Sequence, residues 1–166
     1  QQSDRMIFER DIREYLSSAF DSFGINYIPS SEIDKDILNL FTIEKKYVFQ
    51  RPRTVHISKE LLAKMESSPY SAEILHLKLL FLNGGDVNPF QTKNLFNYYV
   101  HDTLVYDWNI YHFHLTTKKT EDRYFNDRTK EVLFVYILND FALFLNIEPH
   151  TPSNKDIFAD SKLIEI

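Results

Sequence analysis

Residues 131–138 (EVLFVYIL), the pair Asn139-Asp140 and residues 141–148 (FALFLNIE) decide how this chain is read. Two apolar runs of strand length, rich in Val, Ile and Phe, flank two polar residues of the kind that close tight turns, so the runs are predicted to pair as an antiparallel hairpin. Upstream, residues 110–116 (IYHFHLT) alternate. Side chains two apart on a strand share a face, so His112 and His114 project together and Tyr111, Phe113 and Leu115 project the other way. Consecutive antiparallel strands are therefore expected over 110–116, 131–138 and 141–148. A short helix over 154–160 and a last strand over 163–166 would follow.

Before this region the period is helical. Phe8, Ile12, Tyr15, Leu16, Ala19, Phe20 and Phe23 recur at helix spacing over residues 4–23, with Ser3 as N-cap and Gly24 as the stop. Ser31 is placed to cap a second helix over 32–43. Residues 51–58 read as extended, because the residue before Pro52 avoids helix and Thr54, Val55 and Ile57 favour a strand. Helices are expected again over 59–66, 71–82 and 91–104, the second broken by Asn83-Gly84-Gly85-Asp86. Helices followed by a strand meander define an α+β fold, N-terminal helices packed on one face of a C-terminal antiparallel β-sheet of three to four strands. At 166 residues the chain fits one domain, 1–107 mainly helical and 108–166 carrying the sheet.

Composition narrows the chemistry. The chain has no cysteine, so disulfides, thiolate zinc sites and thiol nucleophiles are excluded. Three glycines leave little for phosphate-cradling loops. A formal net charge of -5 argues against sequence-independent DNA binding, which requires a basic surface. Residues 111–130 are mildly basic against that background, with Lys118, Lys119, Arg123, Arg128 and Lys130. With no signal peptide and no apolar run of membrane-spanning length, a soluble cytoplasmic protein without membrane contact is expected.

Arg128 to Phe134 (RTKEVLF), the turn at Asn139-Asp140, residues 141–144 (FALF) and His150 resemble the end of the barnase-like microbial ribonucleases, and more broadly the barnase/RelE-like (BECR-type) toxin endoribonucleases. The resemblance covers residues 108–166. It implies a pocket on one sheet face and metal-free cleavage in which the RNA 2'-hydroxyl is the internal nucleophile. Arg128 stands where the family has a phosphate-binding arginine, and His150 where it has the histidine that protonates the leaving 5'-oxygen. The family's glutamate base on an earlier strand is replaced here by His112 and His114. RNA as substrate and a protein inhibitor or antitoxin as partner are implied in the same way.

Those roles also follow from the reaction itself. Transesterification of RNA needs a base near the 2'-oxygen, an acid near the 5'-oxygen and donors for the developing phosphorane charge. His112 or His114, His150 and Arg128 match these needs, since imidazole titrates nearest to neutrality. Arg123 and Lys130 add charge, and Tyr124 or Trp108 offers a ring on which a base can stack. No cofactor and no metal is expected. Two other readings stand beside this one. In the first, His112 and His114 ligate a metal completed by His101, His150, Asp102 or Asp107 in a hydrolase, although HExxH and two-metal acidic patterns are absent. In the second, the chain is a non-catalytic protein-binding module. His56 and His76 read as structural or surface residues, and the proline-flanked Arg51 and Arg53 as a linker rather than a phosphate clamp.

Overall fold

The computed structural model describes residues 2–150, so the helix and strand expected over 154–166 lie outside the described residues. Residues 2–47 and 94–101 form one compact unit, and residues 48–93 and 102–150 form another. Among the described residues no helix is long and apolar enough to cross a membrane.

The first unit is built on α1 (Gln2–Ser22) and α2 (Ile33–Lys46). They bury Leu16 and Phe20 against Leu40 and Ile43. Gly24, at φ +70°, ends α1 as expected, in the left-handed conformation that glycine adopts without steric cost. The entry to α2 differs from expectation: Ser30, not Ser31, binds the Glu32 N–H (3.1 Å), and no side chain caps the helix. Asp36, buried on α2, gathers the chain before it. Its Oδ2 accepts from the Tyr27 hydroxyl (2.7 Å), the Ser30 N–H (3.0 Å) and the Arg13 guanidinium (3.3 Å).

The helix expected over 91–104 does not form. In its place are a 3₁₀ turn at Lys93–Phe96 and, in the second unit, the short helix α5 (Thr103–Trp108). Two competitors defeat the apolar period. The buried Lys46 ammonium takes the carbonyls of Asn94, Asn97 and Val100 (2.6, 2.7 and 3.1 Å), oxygens a continuous helix would need. Asn97 and Asp102 bind the backbone locally instead, Asn97 accepting from the Tyr99 N–H and Asp102 capping α5 at the Val105 N–H. Trp108, offered as a stacking ring, is the last residue of α5.

The second unit carries β1 (Thr54–Ile57), α3 (Lys59–Met65), α4 (Ser71–Asn83), α5, β2 (Ile110–His114), β3 (Glu131–Ile137) and β4 (Phe141–Pro149). The four strands lie in the order β1-β4-β3-β2. The hairpin and the β2–β3 pair are antiparallel as expected, but β1 runs parallel to β4, so the sheet is mixed rather than purely antiparallel. A parallel neighbour needs a crossover connection, and α3 and α4 lie in the one between β1 and β4. These helices cover one sheet face: Leu61, Ile74, Leu77 and Phe81 pack with Phe113, Leu133, Val135 and Phe144. Phe81 meets the rings of Phe113 and Phe144 edge-on, at 5.8 and 5.7 Å. On the opposite face a smaller cluster joins Leu104 of α5 to Ile110, Val132, Phe134 and Leu145.

Two details set the geometry of the sheet. Val135 pairs with Phe144 but Phe134 with Asn146, so Leu145 is an extra residue in a β-bulge. Its carbonyl accepts from the Ser58 hydroxyl (2.5 Å), and Ser58 also caps α3 by accepting from the Leu61 N–H (3.0 Å). Arg53, buried at the start of β1, spends its guanidinium on the carbonyls of Leu138, Phe49 and Arg51. It is a structural brace, not a phosphate ligand.

Candidate active site

Period-two alternation along β2 sends Tyr111, Phe113 and Leu115 into the helix-covered core and leaves His112 and His114 on the other face. The bulge then settles where His150 points. Without an extra residue, His150 would share the face of Ala142 and Phe144; with it, Asn146, Glu148 and His150 align with Phe134, Val132 and Lys130 across the ladder. His150 donates its backbone N–H to the Lys130 carbonyl (2.7 Å), extending the pairing one step beyond β4.

Three imidazoles therefore meet on one face. The ring centroids are 6.4 Å apart for His112–His114, 5.8 Å for His112–His150 and 5.1 Å for His114–His150. β2 and β4 are separated by β3, a backbone gap of about 10 Å at ordinary strand spacing, which two imidazoles can span from either side. Arg128, exposed at the approach to β3, lies close enough for its charge to act on His114 and His150.

The three rings have different environments. His112 faces a carboxylate, its Nδ1 3.7 Å from Asp102 Oδ2, while Asp102 Oδ1 is held by the cap of α5. Burial pushes the His112 pKa below its ordinary value; Asp102 opposes that shift and His150 adds to it. His114 is 1% exposed, and its Nδ1 accepts the Thr129 backbone N–H (3.2 Å). Burial, then the neighbouring His112, His150 and Arg128, drive its pKa down to about 3. Burial and Arg128 lower His150 as well. All three rings are thus biased toward the neutral form.

The remaining expected residues divide. Lys130 lies beside His150 through its backbone and is exposed. Arg123 and Tyr124 sit on a separate turn, Arg123 exposed at φ +60° and Tyr124 directing its hydroxyl to Asp86 (3.3 Å). Trp108 is 48% exposed at the end of α5. Asp102 and Thr129, which set the environments of His112 and His114, carry no role in the sequence reading beyond Asp102 as a metal ligand. The only hint at Asp102 is a helix-capping residue followed after ten positions by His112, a signal too common to use alone. Among the described residues no group of three or more His, Asp or Glu side chains is arranged to hold a metal ion.

Comparison of the chain with protein-family models, with curated proteins and with solved structures gave no match.

Proposed function

We propose that this chain is a metal-independent endoribonuclease of toxin or phage-defence type, acting on RNA in the cytoplasm and subject to a protein inhibitor, as the barnase/RelE-like resemblance implies. The observation that carries the reading is the meeting of His112, His114 and His150 on one sheet face, within range of the Arg128 charge and with Asp102 behind His112. Acid-base cleavage of a phosphodiester needs a base, an acid and a positive charge for the phosphorane, and this set offers all three.

The environments distribute the roles. His112 is the base: its ring is neutral in the resting state, and Asp102 stabilises the imidazolium formed when the 2'-hydroxyl proton is taken. His150 is the acid. Its pKa is lowered partly by Arg128, and a phosphodiester anion seated on Arg128 offsets that charge, so substrate binding itself favours the protonated ring. His114, buried with a pKa of about 3, does not exchange protons at neutral pH and is removed from the acid-base pair. Arg128 supplies charge for the phosphorane.

The test is incubation of the purified chain with total RNA in excess chelator, beside His150→Ala and Arg128→Ala variants. Expected are 2',3'-cyclic phosphate ends, intact DNA, and a rate loss on the order of 10² or more in each variant. The alkaline limb of kcat should lie at higher pH than that of kcat/KM, because loss of the His150 proton sets that limb and kcat reports the complex whereas kcat/KM reports the free enzyme. Ends bearing 3'-hydroxyls, equal cleavage of DNA, or full activity in both variants would each refute the proposal.

A further inference from the structure

The His114 ring poses a question that acid-base chemistry leaves unanswered. A backbone N–H can only donate, so the Thr129 N–H bond (3.2 Å) makes His114 Nδ1 an acceptor and places the proton of the neutral ring on Nε2. That Nε2 is buried and has no hydrogen-bond partner among the described residues. A buried donor without an acceptor is destabilising, and a folded chain retains that cost where a ligand supplies the missing oxygen. Nε2 is the tip of the ring furthest from the strand. It lies on the face where the His112 and His150 rings pack against His114 and where Arg128 brings positive charge.

We propose that His114 Nε2–H and Arg128 together form an oxyanion site for a phosphate oxygen. His114 acts as a fixed neutral donor, and its tautomer is set by the Thr129 backbone. This rests on the reading of the cluster as a phosphodiester site and deepens it: the substrate is held by one buried, uncharged donor and one exposed cation. The neutral donor has a specific value. It stabilises charge that develops on the non-bridging oxygen without adding a second cation that would further suppress protonation of His150. Thr129 is its positioning residue, with a hydroxyl donating to the Glu131 carbonyl and accepting from the Leu115 N–H, so the loop is anchored on both sides of the ring.

The experiment uses inorganic phosphate as the probe. On the wild-type chain, ¹⁵N–¹H spectra of the imidazoles at pH 7 should show His114 as the Nε2–H tautomer, and its Nε2–H resonance should move on phosphate addition while that of His56 does not. His114→Gln, whose amide nitrogen can replace Nε2–H, should keep phosphate affinity within about 3-fold, whereas His114→Phe should lose about 10-fold or more. If His114→Phe does not fold, the wild-type spectra decide. A Nδ1–H tautomer, a His114 resonance indifferent to phosphate, or equal affinity in His114→Phe would overturn the oxyanion site. RNA cleavage at the wild-type rate in His114→Phe would overturn it while leaving the ribonuclease reading intact. Phosphate binding through His114 in a chain that cleaves no RNA would support the site and refute the ribonuclease.

Discussion

Lowering the pH from 7 to 5 should destabilise the sheet-bearing unit, and replacing His114 by Gln should remove most of one histidine's share of that loss. The His114 pKa falls from an ordinary 6.5 to about 3 in the folded chain, so between those values the unfolded chain binds a proton that the folded chain refuses. For a group depressed in this way, stability is complete well above the unfolded pKa and drains away as the pH falls. At pH 5 the linkage amounts to about 2 kcal/mol relative to pH 7, and at pH 4 to about 3 kcal/mol. His112 and His150 are shifted in the same direction and add to the slope. Trp108, the one tryptophan, lies in this unit, so urea unfolding followed by tryptophan fluorescence at pH 7 and pH 5 reads the effect. His114→Gln should show a pH 7-to-5 drop smaller than wild type by about 2 kcal/mol. An identical drop in both proteins, or a wild-type stability flat across this range, would show that His114 is not held neutral by burial.

Three further expectations concern stability. Arg53→Met should cost about 1–3 kcal/mol, because it removes the hydrogen bonds that the buried guanidinium donates to the carbonyls of Leu138, Phe49 and Arg51; an unchanged urea midpoint would contradict the brace. Gly84→Ala should lower stability by about 2 kcal/mol or more, since a Cβ there meets Pro52 Cδ at 2.8 Å in a left-handed backbone, whereas Gly24→Ala, left-handed but open, should cost about 1 kcal/mol; thermal melts that rank the two in reverse would refute the clash. Asp36→Ala should cost the helical unit about 3 kcal/mol by leaving Arg13, Tyr27 and the Ser30 N–H without their shared acceptor, visible as early loss of helical circular dichroism, and no loss would deny the network its role.

What could be read in the sequence follows the range of the interactions involved. The β3–β4 hairpin rests on local signals, two apolar runs and Asn139-Asp140, and the strands begin where expected. Likewise, Ser58 caps α3 as its position before an apolar period indicates. The failures are tertiary. Nothing near residues 91–104 announces that Lys46, some fifty residues earlier, takes their carbonyls, and nothing in the four-residue β1 names β4 as its parallel partner. At the site, HxH spacing foretold a shared face for His112 and His114. The convergence of His150 with them depends on the bulge, which no glycine marks, and the difference between a buried donor and a proton shuttle depends on Thr129 and on burial.

The bulge divides β4 into two stretches with separate obligations. Up to Phe144 the strand is clamped on both edges, by β1 and by β3, and feeds the core under Phe81. Beyond Leu145 it has β3 alone among the paired strands, and His150, the residue that follows its end, is a catalytic candidate. Ser58 holds the joint through the Leu145 carbonyl. A genetic screen along this one strand should accordingly sort by phenotype: lesions at 142 and 144 lower the amount of folded protein, while lesions at 150 leave the amount unchanged and silence the protein.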